Sequence, residues 1–188
     1  MTPKILNTCF IINWDDVISN LERKEPGKVL DASTMTEVLA SDNKKIVNLY
    51  KKIFELWKDA NYYLDSLEWI NFYPGIHYDN VITDTVSDYL KIVAKRDWIS
   101  CILPGKTAPY HWDIDHMHDE WITEGELVRY SCFINKPFPG QVMNFSDSVY
   151  HKLEQGDMFL WKDYRDYHSA SNTGLKPFFM YHILGIKK

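Results

Sequence analysis

The stretch Pro109-Tyr110-His111-Trp112-Asp113-Ile114-Asp115 decides how the chain is read. As a β-strand its side chains alternate between faces, so His111 and Asp113 point the same way, roughly 6–7 Å apart. An imidazole then stands beside a carboxylate. A third ligand from a neighbouring strand would complete a two-His-one-carboxylate set, which holds non-haem Fe(II) and leaves the opposite positions open. His168, within Tyr167-His168-Ser169-Ala170-Ser171-Asn172, is the candidate for that third ligand. So short a pattern as His-x-Asp arises often by chance, and its weight comes from its surroundings.

Those surroundings read as strands. Short apolar or alternating runs bounded by turn residues fall at about 98–103, 108–114, 127–135, 141–146, 149–153, 157–162 and 177–186. Pro104-Gly105 turns into the His-x-Asp strand, Glu154-Gln155-Gly156 turns into Asp157–Trp161, and Asn172-Thr173-Gly174 is a further turn signal before the last run. So many short strands argue for a barrel or a sandwich.

Upstream the pattern changes to helices. Asp15 to Leu21 is a short helix candidate with acidic residues in its first turn. Ser41 or Asp42 can cap a longer one in which Ile46, Leu49, Tyr50, Ile53, Leu56 and Trp57 recur at helical steps, with lysines on the opposite, solvated face. Leu67–Tyr73 is a strand candidate ending at Pro74-Gly75, and a helix is expected near Asp84 to Lys95, with Val86, Tyr89, Leu90 and Val93 on one face. These helices are most simply the layer that covers one face of a sheet.

At 188 residues the chain is expected to form one domain, 1–188, with about 1–95 as helical support plus a first strand and about 96–188 as the β core. The net charge of −5 lacks the basic footprint of a generic nucleic-acid binder, and no nucleic-acid partner is expected. Cys9, Cys101 and Cys132 show no zinc or redox spacing, so they are read as buried, reduced thiols of a cytoplasmic protein. The interrupted apolar patch at Ile5 to Ile12 does not read as a signal peptide, and no run is long enough for a membrane span.

Taken in order, His111-x-Asp113, the Gly156-Asp157-Met158 turn into a hydrophobic strand, the distal His168, Asn172-Thr173-Gly174 and then a basic residue entering a last strand resemble the Fe(II)/2-oxoglutarate-dependent dioxygenases. The resemblance extends over roughly residues 95–188 and includes the aspartyl/asparaginyl and prolyl hydroxylase types. It implies a mainly β (α+β) fold with a double-stranded β-helix core, the jelly roll shared with cupins, supported by N-terminal helices. It implies that His111, Asp113 and His168 bind Fe(II), and that 2-oxoglutarate and molecular oxygen are consumed while a C–H bond of a small-molecule or peptidyl substrate is hydroxylated. An intact Asp113 points to hydroxylation, since related halogenases carry a small residue at that position.

The far carboxylate of 2-oxoglutarate would need a cation inside the barrel, because a buried anion without a partner is costly. Lys176, at the entrance to the last strand, and Arg129, alone in the apolar strand Leu127–Phe133, both qualify. His116 and His118 invite a cupin-type ligand set, but the acid that such a set needs a few residues on is missing. His151 and His182 are read as packed or hydrogen-bonded strand residues. The acidic loop from Asp115 to Glu126 is read as solvated, or else as a flap favouring a cationic substrate. Two other classes stay open: a cupin-like metal protein without 2-oxoglutarate chemistry, and a non-catalytic jelly-roll binding module.

Overall fold

The computed structural model describes residues 5–21, 26–40, 42–60, 64–112, 118–145, 148–151 and 153–188. Its centre is Phe178–Lys187 (β11), buried from Phe178 through Ile186. Continuous burial of this kind requires a strand covered on both faces. β11 pairs antiparallel with Ile92–Ile102 (β4) on one side and with Leu127–Phe133 (β6) on the other. The 7-stranded sheet around it runs Ile5–Asn7 (β1), Asp157–Leu160 (β9), β6, β11, β4, Glu68–Phe72 (β3) and Lys28–Asp31 (β2). Facing it, a 4-stranded sheet runs Thr107–His111 (β5), His168–Asn172 (β10), Gln141–Phe145 (β7) and Val149–Tyr150 (β8).

From β4 onward the chain passes from one sheet to the other and back. β4, β6, β9 and β11 belong to the large sheet, β5, β7, β8 and β10 to the small one, and every pair among them is antiparallel. This winding is a double-stranded β-helix. The mainly β, jelly-roll expectation therefore holds.

The supporting helices divide into two groups where a single layer was expected. Trp14–Leu21 (α1) and Asn80–Leu90 (α4) cover the outer face of the large sheet, where Trp14, Val17, Ile82 and Val86 pack with Ile99 and Ile183. Lys44–Asp59 (α3), which follows Ala32–Leu39 (α2), lies elsewhere: Ile53 and Trp57 pack on Leu67 beside Trp69 and Trp112. Leu56, expected on that apolar face, is exposed. At the C-terminal end of the helix the Trp57 Nε1 donates to the Tyr110 carbonyl at 2.8 Å.

The helix expected to reach Lys95 stops at Leu90. Lys91 takes the left-handed conformation with φ 58°, and its N–H caps the helix on the carbonyls of Asp88 and Ser87. β-Branched Ile92 and Val93 then open β4, pairing with Lys187 and Ile186. β8 is shorter than expected and leaves His151 exposed beyond its end. β10 includes Asn172, read from sequence as the start of a turn; it is held as a strand by partners on both sides. β1, β2 and α2 were not foreseen either, since their partners are set by tertiary pairing rather than local pattern.

Cys101 and Cys132 are buried as expected, but Cys9 is exposed and its thiol donates to the Gln155 carbonyl. Gly156, with φ 82°, packs so close to Cys9 that a Cβ would overlap its sulfur. That turn therefore requires glycine. Among the described residues no helix is long and apolar enough to cross a membrane.

Candidate metal and anion site

β5 and β10 are neighbours in the small sheet, and His111 and His168 are direct cross-strand partners. Their ring centroids lie 4.4 Å apart. The Nδ1 of His111 donates to the Pro109 carbonyl at 2.5 Å, and the Nδ1 of His168 donates to the Asp166 carbonyl at 3.1 Å. A carbonyl can only accept, so each Nδ1 carries the hydrogen and each neutral ring has its lone pair on Nε2. This is the arrangement in which metal-binding histidines are held.

Aromatic rings fix the planes of both imidazoles. Trp69 stacks on His111 at 5.7 Å and Trp57 meets it edge-on, while Trp161 meets His168 edge-on at 4.6 Å. Asp113, the proposed third ligand, lies outside the described residues, as do Asp115 and His116. His118, on the short helix His118–Trp121 (α5), is buried against Trp121 and Tyr164. Beside the pair, Tyr110 has its phenol pushed upward in pKa by burial, with Asp166 and Tyr167 adding to the effect.

Both histidines open into a cavity of about 200 Å³ between the two sheets, whose lining also takes in residues of α3 and β2. Arg129 lines the same cavity although it is only 1% exposed. Its guanidinium carbon sits 3.6 Å above the Trp161 ring and 5.0 Å from that of Trp98. One indole, Trp161, therefore touches His168 and Arg129, and its backbone N–H donates to the Arg129 carbonyl. Lys176 is placed differently: it lies on the exposed turn before β11, with Nζ 5.7 Å over Phe138, and is not among the cavity-lining residues.

Three lining residues escaped the sequence reading as functional groups: His182, Ser100 and Asn71. His182 was visible as one imidazole in an apolar run. Only the strand register reveals that it sits between Ser100 and Ser131, at 2.9 and 2.7 Å. The acidic flap is not assembled by the described part of its loop. Glu124 and Glu126 instead pair with Lys95 and Lys187. Among the described residues the lining includes Lys28, Arg96 and Arg129 but no Asp or Glu.

Two imidazoles with outward lone pairs fit a divalent transition metal, and a buried guanidinium fits a carboxylate. Together they can hold one molecule by both ends.

No family model matches the chain, and no curated protein matches its sequence. Solved structures are similar to it at low identity. A prolyl hydroxylase from Trichoplax adhaerens, in complex with a hypoxia inducible factor oxygen degradation domain peptide fragment, is 13% identical, with 92% of this chain and 88% of that chain covered and a TM-score of 0.44. A viral collagen prolyl hydroxylase from Paramecium bursaria Chlorella virus-1, solved as its 2OG complex, is 14% identical over 87% of this chain and 97% of its own, with a TM-score of 0.44. The cupin domain of an XRE family transcriptional regulator from Enterobacter cloacae is 10% identical over 64% and 98%, with a TM-score of 0.39. The assignment of the fold rests on the order of the strands.

Proposed function

We propose that the cavity is the active site of an Fe(II)- and 2-oxoglutarate-dependent oxygenase that hydroxylates an unactivated C–H bond of an amino acid, a peptidyl residue or a small metabolite. The observation that carries this reading is the Trp161 indole, which has a candidate metal ligand, His168, on one side and the buried Arg129 on the other. A dianion with a chelating keto acid at one end and a carboxylate at the other matches that pair of sites.

His111 and His168, with Asp113, would hold Fe(II), and Arg129 would bind the far carboxylate of 2-oxoglutarate. When bound, iron with 2-oxoglutarate and oxygen supplies the oxidising chemistry. The chain's own groups bind, orient and exclude water. Bonds from Nδ1 to the carbonyls of Pro109 and Asp166 keep both rings in the tautomer that offers Nε2 to the metal. Arg129 offers parallel N–H donors in a buried site, a geometry that lysine lacks. Trp57, Trp69 and Trp161 wall the histidines with apolar surface, and residues of α3 and β2 complete the cavity lining. The free thiols of Cys9, Cys101 and Cys132 suit a reducing compartment such as the cytoplasm.

Anaerobic titration of metal-free protein with Fe(II) and then 2-oxoglutarate tests this reading. The expected result is the visible charge-transfer band of the chelate in the wild type, and its loss in His168→Ala and Asp113→Ala. Iron binding without the band would identify a cupin-like metal protein. No iron binding would leave a jelly-roll binding module.

A further inference from the structure

The floor of the cavity carries a chain of hydrogen bonds whose direction can be deduced. It begins at Trp161, whose indole N–H can only donate and gives its hydrogen to the Ser131 oxygen at 2.7 Å. Ser131 is fully buried, and its hydroxyl has one hydrogen of its own to place. Among the described residues the only acceptor meeting it is the Nδ1 of His182, at 2.7 Å. A buried hydroxyl that failed to donate would carry its full desolvation cost, so Nδ1 accepts. The neutral ring then carries its hydrogen on Nε2, which donates to the Ser100 oxygen at 2.9 Å.

Ser100 is thereby left with its own hydrogen to give. It lines the cavity with Arg129, and no acceptor among the described residues meets that hydrogen. Its cross-strand partner on β3, Asn71, lines the same cavity and has a buried amide oxygen without a partner among the described residues. His182 itself is pinned by stacking on Trp98, one of the two indoles that flank the Arg129 guanidinium. Donor-only, then hydroxyl, imidazole and hydroxyl: each link fixes the polarity of the next.

We propose that His182 is a positioning residue that turns the Ser100 hydroxyl into a hydrogen-bond donor for the carboxylate bound by Arg129, and so makes the cavity select a keto diacid over a keto monoacid of the same length. This rests on the reading of the cavity as a 2-oxoglutarate site. His182 does not touch the ligand; it acts through Ser100. An imidazole suits the task because it accepts at one end and donates at the other. Glutamine can do the same, and leucine can do neither.

The test is anaerobic calorimetry of the Fe(II)-loaded protein with 2-oxoglutarate and with 2-oxopentanoate, which lacks the far carboxylate. Ser100→Ala and His182→Leu are each expected to weaken 2-oxoglutarate about tenfold and leave 2-oxopentanoate unchanged, as loss of one bond to a charged acceptor requires. The double variant should be no weaker than either single one, because both remove the same donor. His182→Gln should stay within about twofold of wild type. Should His182→Leu fail to fold, Ser100→Ala and His182→Gln carry the comparison. Wild-type affinity in Ser100→Ala, multiplied losses in the double variant, or a His182→Gln as weak as His182→Leu would overturn the inference. Nitrogen-15 shifts of His182 give a ligand-free readout: hydrogen on Nε2 supports the relay, and hydrogen on Nδ1 refutes it. A wild type that binds both acids equally while showing the Nε2–H tautomer would refute the 2-oxoglutarate reading, and the selectivity with it, but not the direction of the hydrogen bonds.

Discussion

The two faces of the large sheet are made from the same strands, one residue out of step, and they treat polar groups in opposite ways. On the outer face, beneath α1 and α4, Asp97 accepts hydrogen bonds from Tyr78 at 2.8 Å, Thr83 at 2.9 Å and Tyr181 at 3.1 Å. The protein satisfies that group by itself. On the inner face Ser100 has a hydrogen to give and Asn71 an oxygen unmatched among the described residues, beside the buried guanidinium of Arg129. On the proposed function the inner face meets a ligand while the outer face serves stability, so substitutions should separate the two.

The largest effect is expected on the outer side. Ile183, fully buried under the helices, should cost about 2–5 kcal/mol of unfolding free energy when changed to Ala, with 2-oxoglutarate affinity unchanged. Urea titration and ligand titration of the same variant check both halves. Arg129→Leu should do the reverse. Affinity for 2-oxoglutarate is expected to fall about a hundredfold, roughly 2.7 kcal/mol, while the unfolding midpoint holds or rises because a buried charge is replaced by apolar volume. A large loss of stability in Arg129→Leu would mean that the cation is structural, and the contrast would collapse.

A subtler difference lies in pH. Burial raises the Asp97 carboxyl above its ordinary value of 3.8 despite the three hydroxyl donors. The folded state therefore prefers this acid protonated. Its contribution to stability is full below about 3.8 and is lost as pH rises through the higher folded value. Asp97→Asn, which cannot ionise, should flatten that decline as pH rises above about 3.8. Equal slopes for variant and wild type would show that the three donors compensate burial completely. Smallest of all is Lys176→Ala. With the side chain on an exposed turn, 2-oxoglutarate affinity should stay within about twofold, and a tenfold loss would return the carboxylate to Lys176 in place of Arg129.

Much of this was legible beforehand because strand alternation is local. His111 and Arg129 each stand in short runs whose neighbours announce a strand, and the turn at Pro104-Gly105 marks where the first of those runs begins. What stayed hidden depends on pairing between residues distant in sequence. Val93 has a helical spacing to Leu90 and Tyr89, and only the ladder with Ile186 makes it a strand residue. Ser100 and Ser131 look like ordinary strand serines until the register brings His182 between them. The choice between Arg129 and Lys176 could not be made from charge alone. Placement is what the sequence does not carry: one guanidinium lies between two indoles while the other cation rests on a surface turn.

The lining of the cavity comes from two separate stretches of the chain. Lys28 and Leu30 on β2, Tyr50, Ile53 and Trp57 on α3, and Trp69 on β3 all precede the first strand of the jelly roll, whereas the imidazole pair and Arg129 come after it. The two parts of the lining are thus written in successive stretches of one gene. Insertions, duplications or exchanges confined to the earlier stretch could reshape one side of the cavity, generation after generation, and leave the strands that carry the imidazole pair and Arg129 as they are.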